Sequence, residues 1–276
     1  MSESPIHRTV HSAAGDVRVT EFTGRGPSLC ALHGFTGSGE DFALLAEELK
    51  HHLIAPDLSG HGPLAVDREH SLVQEGQRLE SVLREFDDRP LLLGYSMGGR
   101  TALAWALRNP EAFSALILIG ASPGLRQASA QYERQAADEA LARRIETEGV
   151  AAFADFWEQV PIIASQERIP LPYRTALQQR RRCSLAAGLA ASLRGMGTGV
   201  QDSYWDDLQS LSLPTLLVTG ADDPKFTAIA DDMAALVPRA TRCSVPGAGH
   251  CAHLEQATET AQAIRSFVDR LGTLGS

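Results

Sequence analysis

Leu91-Leu92-Leu93-Gly94-Tyr95-Ser96-Met97-Gly98-Gly99-Arg100 is the stretch that decides the fold. Three leucines end in a glycine, which reads as a short buried strand. Residues 97–108 then carry apolar side chains at helical spacing, so a helix follows at once. Between the two lies G-x-S-x-G, the sharp strand-to-helix turn that lifts a serine hydroxyl above the end of a sheet. The pentapeptide alone is a weak signal. Its setting, strand before and helix after, gives it weight.

Working outward, the same rhythm recurs. Continuous apolar runs at 29–33, 53–56, 115–119 and 215–219 read as strands buried on both faces. The run 17–22 alternates and reads as an edge hairpin strand, and 242–245 as the last strand. Helical spacing occupies 41–50, 72–86, 228–236 and 257–271 between them. Strand and helix in alternation predict an α/β architecture with a mostly parallel, doubly wound sheet. From 123 to 211 no strand pattern occurs. That stretch is rich in Ala, Arg, Gln and Glu, is broken by Pro161, Pro170 and Pro172, and reads as a helical cap inserted over the sheet. The expectation is one α/β-hydrolase domain, with a core of about 1–122 and 212–276 and a cap of about 123–211.

Two further turns supply chemistry. His33-Gly34-Phe35 follows the strand at 29 and matches the loop that gives one N–H of an oxyanion hole; the residue after the nucleophile gives the other. Phe35 and Met97 are therefore the expected donors, and His33 is expected to brace the loop. In this architecture the acid and then the histidine follow the serine in the chain. Asp222 and Asp223 both stand after the strand at 215–219, and His250 closes Gly247-Ala248-Gly249 after the last strand. Each is a candidate to complete the set with Ser96. His253 is a rival base outside that turn. The loop Ser59-Gly60-His61-Gly62 is read as structural.

Bulk properties narrow the partners. The chain has 276 residues, 43% of them hydrophobic, and a formal net charge of −9. That balance and the lack of a basic run argue against nucleic acid and anionic membranes. The amino-terminal 16 residues are polar, and no apolar run reaches the ~18 residues of a membrane span. Cys30, Cys183, Cys243 and Cys251 are scattered, with no zinc spacing. No metal site is expected, and a cytoplasmic monomer or small homo-oligomer is.

Taken together, these motifs resemble one family, the 2-succinyl-6-hydroxy-2,4-cyclohexadiene-1-carboxylate synthases of menaquinone biosynthesis. The resemblance rests on Leu32-His33-Gly34-Phe35-Thr36-Gly37-Ser38, on Gly94 to Arg100, and on Ala121-Ser122-Pro123-Gly124-Leu125. It continues through Pro161-Ile162-Ile163-Ala164-Ser165, Ser192-Leu193-Arg194-Gly195-Met196-Gly197-Thr198-Gly199 and Gly247-Ala248-Gly249-His250. Arg100 and the stretch 192–199 are the specific parts. The resemblance implies a cofactor-free lyase that expels pyruvate from a small, multiply anionic carboxylate substrate. It selects Asp223 over Asp222, and it implies that Tyr95, Arg100, Arg134, Trp157 and Arg181 line the pocket. Arg180 and Arg182 flank Arg181 and compete for that role, whereas Arg143 and Arg144 read as solvated. Arg100 lies one helical turn after Ser96, and a planar guanidinium pairs bidentately with a carboxylate. The alternatives are an ester or C–C bond hydrolase of the same fold and a non-catalytic binder.

Overall fold

The computed structural model describes residues 4–12, 15–65, 70–86 and 89–274. Parts of the polar amino terminus, 1–3 and 13–14, lie outside these described residues. Among the described residues, eight strands form one sheet: β1 (Ile6–Val10), β2 (Val17–Phe22), β3 (Leu29–Leu32), β4 (Leu53–Pro56), β5 (Leu91–Tyr95), β6 (Ala115–Ile119), β7 (Thr215–Gly220) and β8 (Ala240–Val245). Their spatial order is β1-β2-β4-β3-β5-β6-β7-β8. The two pairings that involve β2 are antiparallel, and every pairing from β4 to β8 is parallel.

One expectation is corrected. Val17–Phe22 is not the edge strand, because β1 pairs outside it. Four of the five residues of β1 are exposed, so it has no apolar run to announce it.

The pleat divides the strand residues between two layers. Leu92, Leu116, Leu118 and Leu217 join one cluster, under α2 (Leu72–Leu83), α3 (Met97–Arg108) and α8 (Pro224–Ala234). Leu91, Leu93, Ile117, Ile119 and Val218 join the other, under α1 (Ala43–Leu49), α9 (Ala252–Glu255) and α10 (Ala257–Leu274). Each fully buried Leu or Ile contributes about 1.5–3 kcal/mol. This double cover is why the central strands read as unbroken apolar runs.

Between β6 and β7 stand α4 (Ala128–Trp157), α5 (Pro161–Ala164), α6 (Leu171–Arg182) and α7 (Ala186–Met196). Their own small core joins Ala142, Ile145 and Phe153 of α4 to Leu189, Ala190 and Leu193 of α7. α4 breaks at Gly149, whose φ of 83° and ψ of 161° leave the helix. Glycine takes that conformation without steric cost.

Candidate active site

The site is built where strands end. Ser96 sits between β5 and α3 with φ 51° and ψ −109°, a conformation that L residues avoid. Its backbone N–H donates to Ile119 O on the neighbouring strand at 2.9 Å, which holds the turn. A Cβ on Gly98 would lie 2.1 Å from Leu32 O, so only glycine lets the start of α3 approach the end of β3. That contact joins the serine turn to the His33-Gly34-Phe35 loop.

From Ser96 a line of hydrogen bonds runs across the sheet. Ser96 Oγ lies 3.0 Å from His250 Nε2, and His250 Nδ1 lies 2.8 Å from Asp223 Oδ2. A carboxylate accepts, so Nδ1 carries the proton and Nε2 is free to accept from the serine. Asp223 Oδ1 takes the backbone N–H of Phe226 at 3.2 Å, which caps α8 and fixes the carboxylate. Asp222 turns outward, is exposed, and pairs with Arg168. The structure thus brings Ser96, His250 and Asp223 together and places Asp222 elsewhere. His253 is walled in by Phe42 and Tyr95, with ring centroids at 5.4 and 4.5 Å. Burial lowers its pKa to about 3, so it stays neutral. It lines the cavity but has no contact with Ser96 among the hydrogen bonds of the described residues.

Phe35 and Met97 line the same cavity as Ser96. Phe35 follows Gly34, whose missing side chain would lie 3.6 Å from Ser96 Cβ. Met97 opens α3, where the helix dipole favours negative charge. Neither backbone N–H has a hydrogen-bond partner among the described residues. His33 braces the loop: its Nδ1 donates to Gly34 O at 2.8 Å, and its Nε2 accepts from Leu58 N at 2.9 Å.

Above these groups lies a cavity of about 740 Å³, roofed by the cap. Tyr95, Arg100, Arg134, Trp157 and Arg181 all line it. Tyr95 is buried and its ring packs on His250 at 5.4 Å; burial pushes its hydroxyl pKa well up, so it stays neutral. Arg100 is only 9% exposed, and its Nη1 donates to Gln201 Oε1 at 3.0 Å. No carboxylate lies within ion-pair distance of it among the described residues. Desolvation, then the nearby Arg134, lowers its pKa to about 10, which leaves it charged at neutral pH. Arg134 is held by Asp138 at 2.8 Å. Trp157 stacks on Phe153, and its buried Nε1 has no hydrogen-bond partner among the described residues. Of the three consecutive arginines, Arg180 pairs with Asp41 and Arg182 with Asp155, while Arg181 is 2% exposed and faces the cavity. Arg143 is exposed and paired with Glu139, as expected of a solvated side chain, whereas Arg144 is half-buried, paired with Glu148 and stacked over Phe156 at 3.9 Å.

The Alpha/beta hydrolase family profile matches residues 31–263. A protein of Serratia proteamaculans named 2-succinyl-6-hydroxy-2,4-cyclohexadiene-1-carboxylate synthase is 31% identical over 245 residues, 88% of this chain and 93% of that one. A Bacillus subtilis protein, to which the same name is given provisionally, is 35% identical over 246 residues, 87% of this chain and 90% of that one. The chain belongs to the 2-succinyl-6-hydroxy-2,4-cyclohexadiene-1-carboxylate synthase family. Among solved structures, that of MenH from S. aureus superposes with a TM-score of 0.86 at 30% identity, covering 92% of this chain and 98% of that one. An esterase from Thermogutta terrifontis superposes at 0.80 with 24% identity and shows the shared fold alone.

Two residues of this synthase-family site escaped the sequence reading. Gln201 holds Arg100, but a glutamine in a loop carries no signal of its own. Thr36 accepts a hydrogen bond from Arg181 Nε at 3.0 Å. It stands inside the Phe35-Thr36-Gly37 motif, yet sequence does not reveal a contact 145 residues away. Among the described residues no cluster of three potential metal ligands occurs, and no helix is long and apolar enough to cross a membrane.

Proposed function

We propose that the chain is a 2-succinyl-6-hydroxy-2,4-cyclohexadiene-1-carboxylate synthase of menaquinone biosynthesis. It is a lyase that eliminates pyruvate from 2-succinyl-5-enolpyruvyl-6-hydroxy-3-cyclohexene-1-carboxylate. The observation that carries this reading is Arg100: a buried guanidinium with one neutral partner, one turn from Ser96, in the same cavity as Arg134 and Arg181. A buried charge without a counter-ion is costly. A trianionic substrate repays that cost, whereas a neutral ester does not.

In this reading Ser96 and His250 form the base, with Asp223 orienting the imidazole. Ser96 Oγ gives its proton to His250 Nε2 and takes the ring proton beside the succinyl carbonyl. The electron pair moves through the ring and breaks the C–O bond to the enolpyruvyl group. Enolpyruvate leaves and gains a proton on its methylene carbon to become pyruvate, and no water is consumed. Negative charge gathers on the succinyl carbonyl oxygen, where the Phe35 and Met97 amides receive it. Arg100, Arg134 and Arg181 hold the carboxylates, and Tyr95 and Trp157 shape the ring pocket. The free Nε1 of Trp157 is an available donor to the substrate. No metal or organic cofactor takes part. The chain acts as one domain, its cap at about 123–211 over a core of about 1–122 and 212–276, in the cytoplasm, as a monomer or small homo-oligomer.

The test is turnover of freshly made enolpyruvyl precursor in D₂O containing ¹⁸O-labelled water. The reading expects pyruvate with deuterium in its methyl group, beyond the exchange seen with added pyruvate, and no ¹⁸O in the ring product. Ester hydrolysis through a stable acyl group on Ser96, with no pyruvate released from the precursor, would overturn it in favour of a hydrolase.

A further inference from the structure

Thr36 stands next to Phe35 in an unusual conformation. Gly37 N–H donates to Gly34 O at 3.0 Å, which closes a four-residue turn with Phe35 second and Thr36 third. Thr36 has φ 66°. A positive φ at the third position is ordinarily supplied by Gly or Asn. For a β-branched residue it is a true outlier, and such strain persists only where the surroundings over-determine it. Glycine would fill this position without strain, so the threonine side chain is the part that needs explaining.

Two groups pin Thr36, which is 2% exposed. On one side its N–H donates to His61 Nε2 at 3.2 Å. His61 Nδ1 lies 3.0 Å from Ser59 O and donates to it, which leaves Nε2 as the acceptor. Burial lowers the His61 pKa to about 3, so the ring stays neutral at working pH and Nε2 remains an acceptor. The Ser59-Gly60-His61-Gly62 loop therefore serves the turn. On the other side, Thr36 Oγ1 accepts from Arg181 Nε at 3.0 Å. Arg181 comes from α6 of the cap. Its Nη2 donates to Gln166 Oε1 at 3.0 Å, and its Nη1 lies 3.6 Å from Glu158 Oε1, beyond hydrogen-bond reach. The second residue of such a turn has an N–H that takes no part in the turn's own bond, and here that N–H is the one on Phe35.

We propose that Thr36 is a positioning residue that couples the two halves of the site: it aims the Phe35 amide at the developing oxyanion and ties that amide to Arg181, so that a carboxylate bound at Arg181 sets the oxyanion donor. This rests on the reaction and the Phe35 role given above. The link is one hydrogen bond and one peptide long. A carboxylate that draws the Arg181 guanidinium acts on Thr36 Oγ1, and through the turn on the neighbouring amide.

The experiment measures kcat, KM and thermal stability for Thr36→Ser, Thr36→Val, Thr36→Gly, Arg181→Met and the Thr36→Val/Arg181→Met double variant. Thr36→Ser keeps the hydroxyl and is expected to stay within about threefold of wild type. Thr36→Val keeps the shape and loses the hydroxyl; kcat is expected to fall about tenfold or more. Thr36→Gly relaxes the backbone, so its Tm is expected to hold or rise while kcat falls as in Thr36→Val. A merely structural threonine would not lose kcat while gaining stability. If the residues act as one unit, the double variant has the kcat of Arg181→Met alone, since coupled residues are not additive. Wild-type kcat in Thr36→Gly, or losses that multiply in the double variant, would overturn the coupling. Ser96→Ala in the same assay separates the two levels. If Ser96→Ala stays active, the site reading itself fails. If it is inactive while Thr36→Gly and Thr36→Val turn over normally, only the coupling fails.

Discussion

Replacing Arg100 tests whether the cavity is built for carboxylates. Arg100 is 9% exposed and, among the described residues, its guanidinium donates once, to the amide oxygen of Gln201 at 3.0 Å. Asp138, the carboxylate whose charge reaches Arg100, is committed to Arg134 at 2.8 Å and to Gly199 N at 3.2 Å. Without substrate, Arg100 therefore carries most of a desolvation cost and little compensation. Arg100→Met removes that cost but strands the Gln201 oxygen, a loss of about 1–3 kcal/mol. The two offset, so Tm is expected to stay level or rise. Catalysis is expected to respond very differently. Truncating one partner of a buried, hydrogen-bonded charge pair costs about 2–5 kcal/mol. That is about 30-fold to a few thousand-fold in kcat/KM. Arg100→Lys is expected to fall between, because an ammonium cannot reproduce the bidentate fork. The control is Arg143→Ala, whose side chain is 74% exposed; it is expected to cost under ~1 kcal/mol. The assay is pyruvate release, coupled to lactate dehydrogenase, beside thermal melts. If Arg100→Met keeps kcat/KM within about threefold of wild type, the carboxylate-clamp reasoning is wrong. If instead kcat/KM falls only in step with a lowered Tm, Arg100 is holding the fold.

Ser96→Ala and His250→Ala are expected to abolish most turnover, with Asp223→Asn less severe, since each removes a link in one hydrogen-bonded line. Asp222→Asn is expected to be mild, because Asp222 pairs with Arg168 on the outside; a crippled Asp222→Asn beside an active Asp223→Asn would reverse the assignment of the acid. Acid is expected to destabilise the fold. His61 and His253 are buried and neutral, each with its pKa lowered to about 3 from 6.5. Between those values the unfolded chain binds more protons, so this stability is complete above about pH 6.5 and is lost as pH falls toward 3, by up to about 1.4 kcal/mol per pH unit for each histidine. Melts from pH 7.5 to 5 read the slope, and an unchanged slope in His253→Gln would show that His253 does not contribute.

The parts of this molecule that were legible in sequence share a physical reason. The central strands are covered on both faces, so they had to be apolar throughout, and β3 to β7 could be read directly. The serine, histidine and acid turns lie at strand ends, where sharp geometry restricts the residue type; Gly98 has no room for a Cβ beside Leu32 O. β1 could not be read, because an exposed antiparallel edge needs backbone pairing and little apolar surface. The cap was legible as helical and no further. Nothing local distinguishes Arg181 from Arg180 and Arg182, since all three close the same helix. What separates them is which faces Asp41, which faces Asp155 and which faces Thr36, and those partners lie far away in the chain.

The same division explains how one scaffold serves two chemistries. Ser96, His250, Asp223 and two free amides would suit an acyl transfer as well as an elimination, because both steps need a base beside a carbonyl whose oxygen gains charge. Nothing in that line of hydrogen bonds chooses between them. The choice falls to what holds the rest of the substrate. An acyl-transfer pocket for neutral esters gains nothing from a buried cation, and bears its desolvation cost in every resting molecule. Arg100 bears that cost in this cavity, with a neutral amide as its partner where an acid would have cancelled its charge. A glutamine in place of a glutamate at position 201 keeps the guanidinium directed and leaves its charge uncancelled, as the proposed trianionic substrate requires.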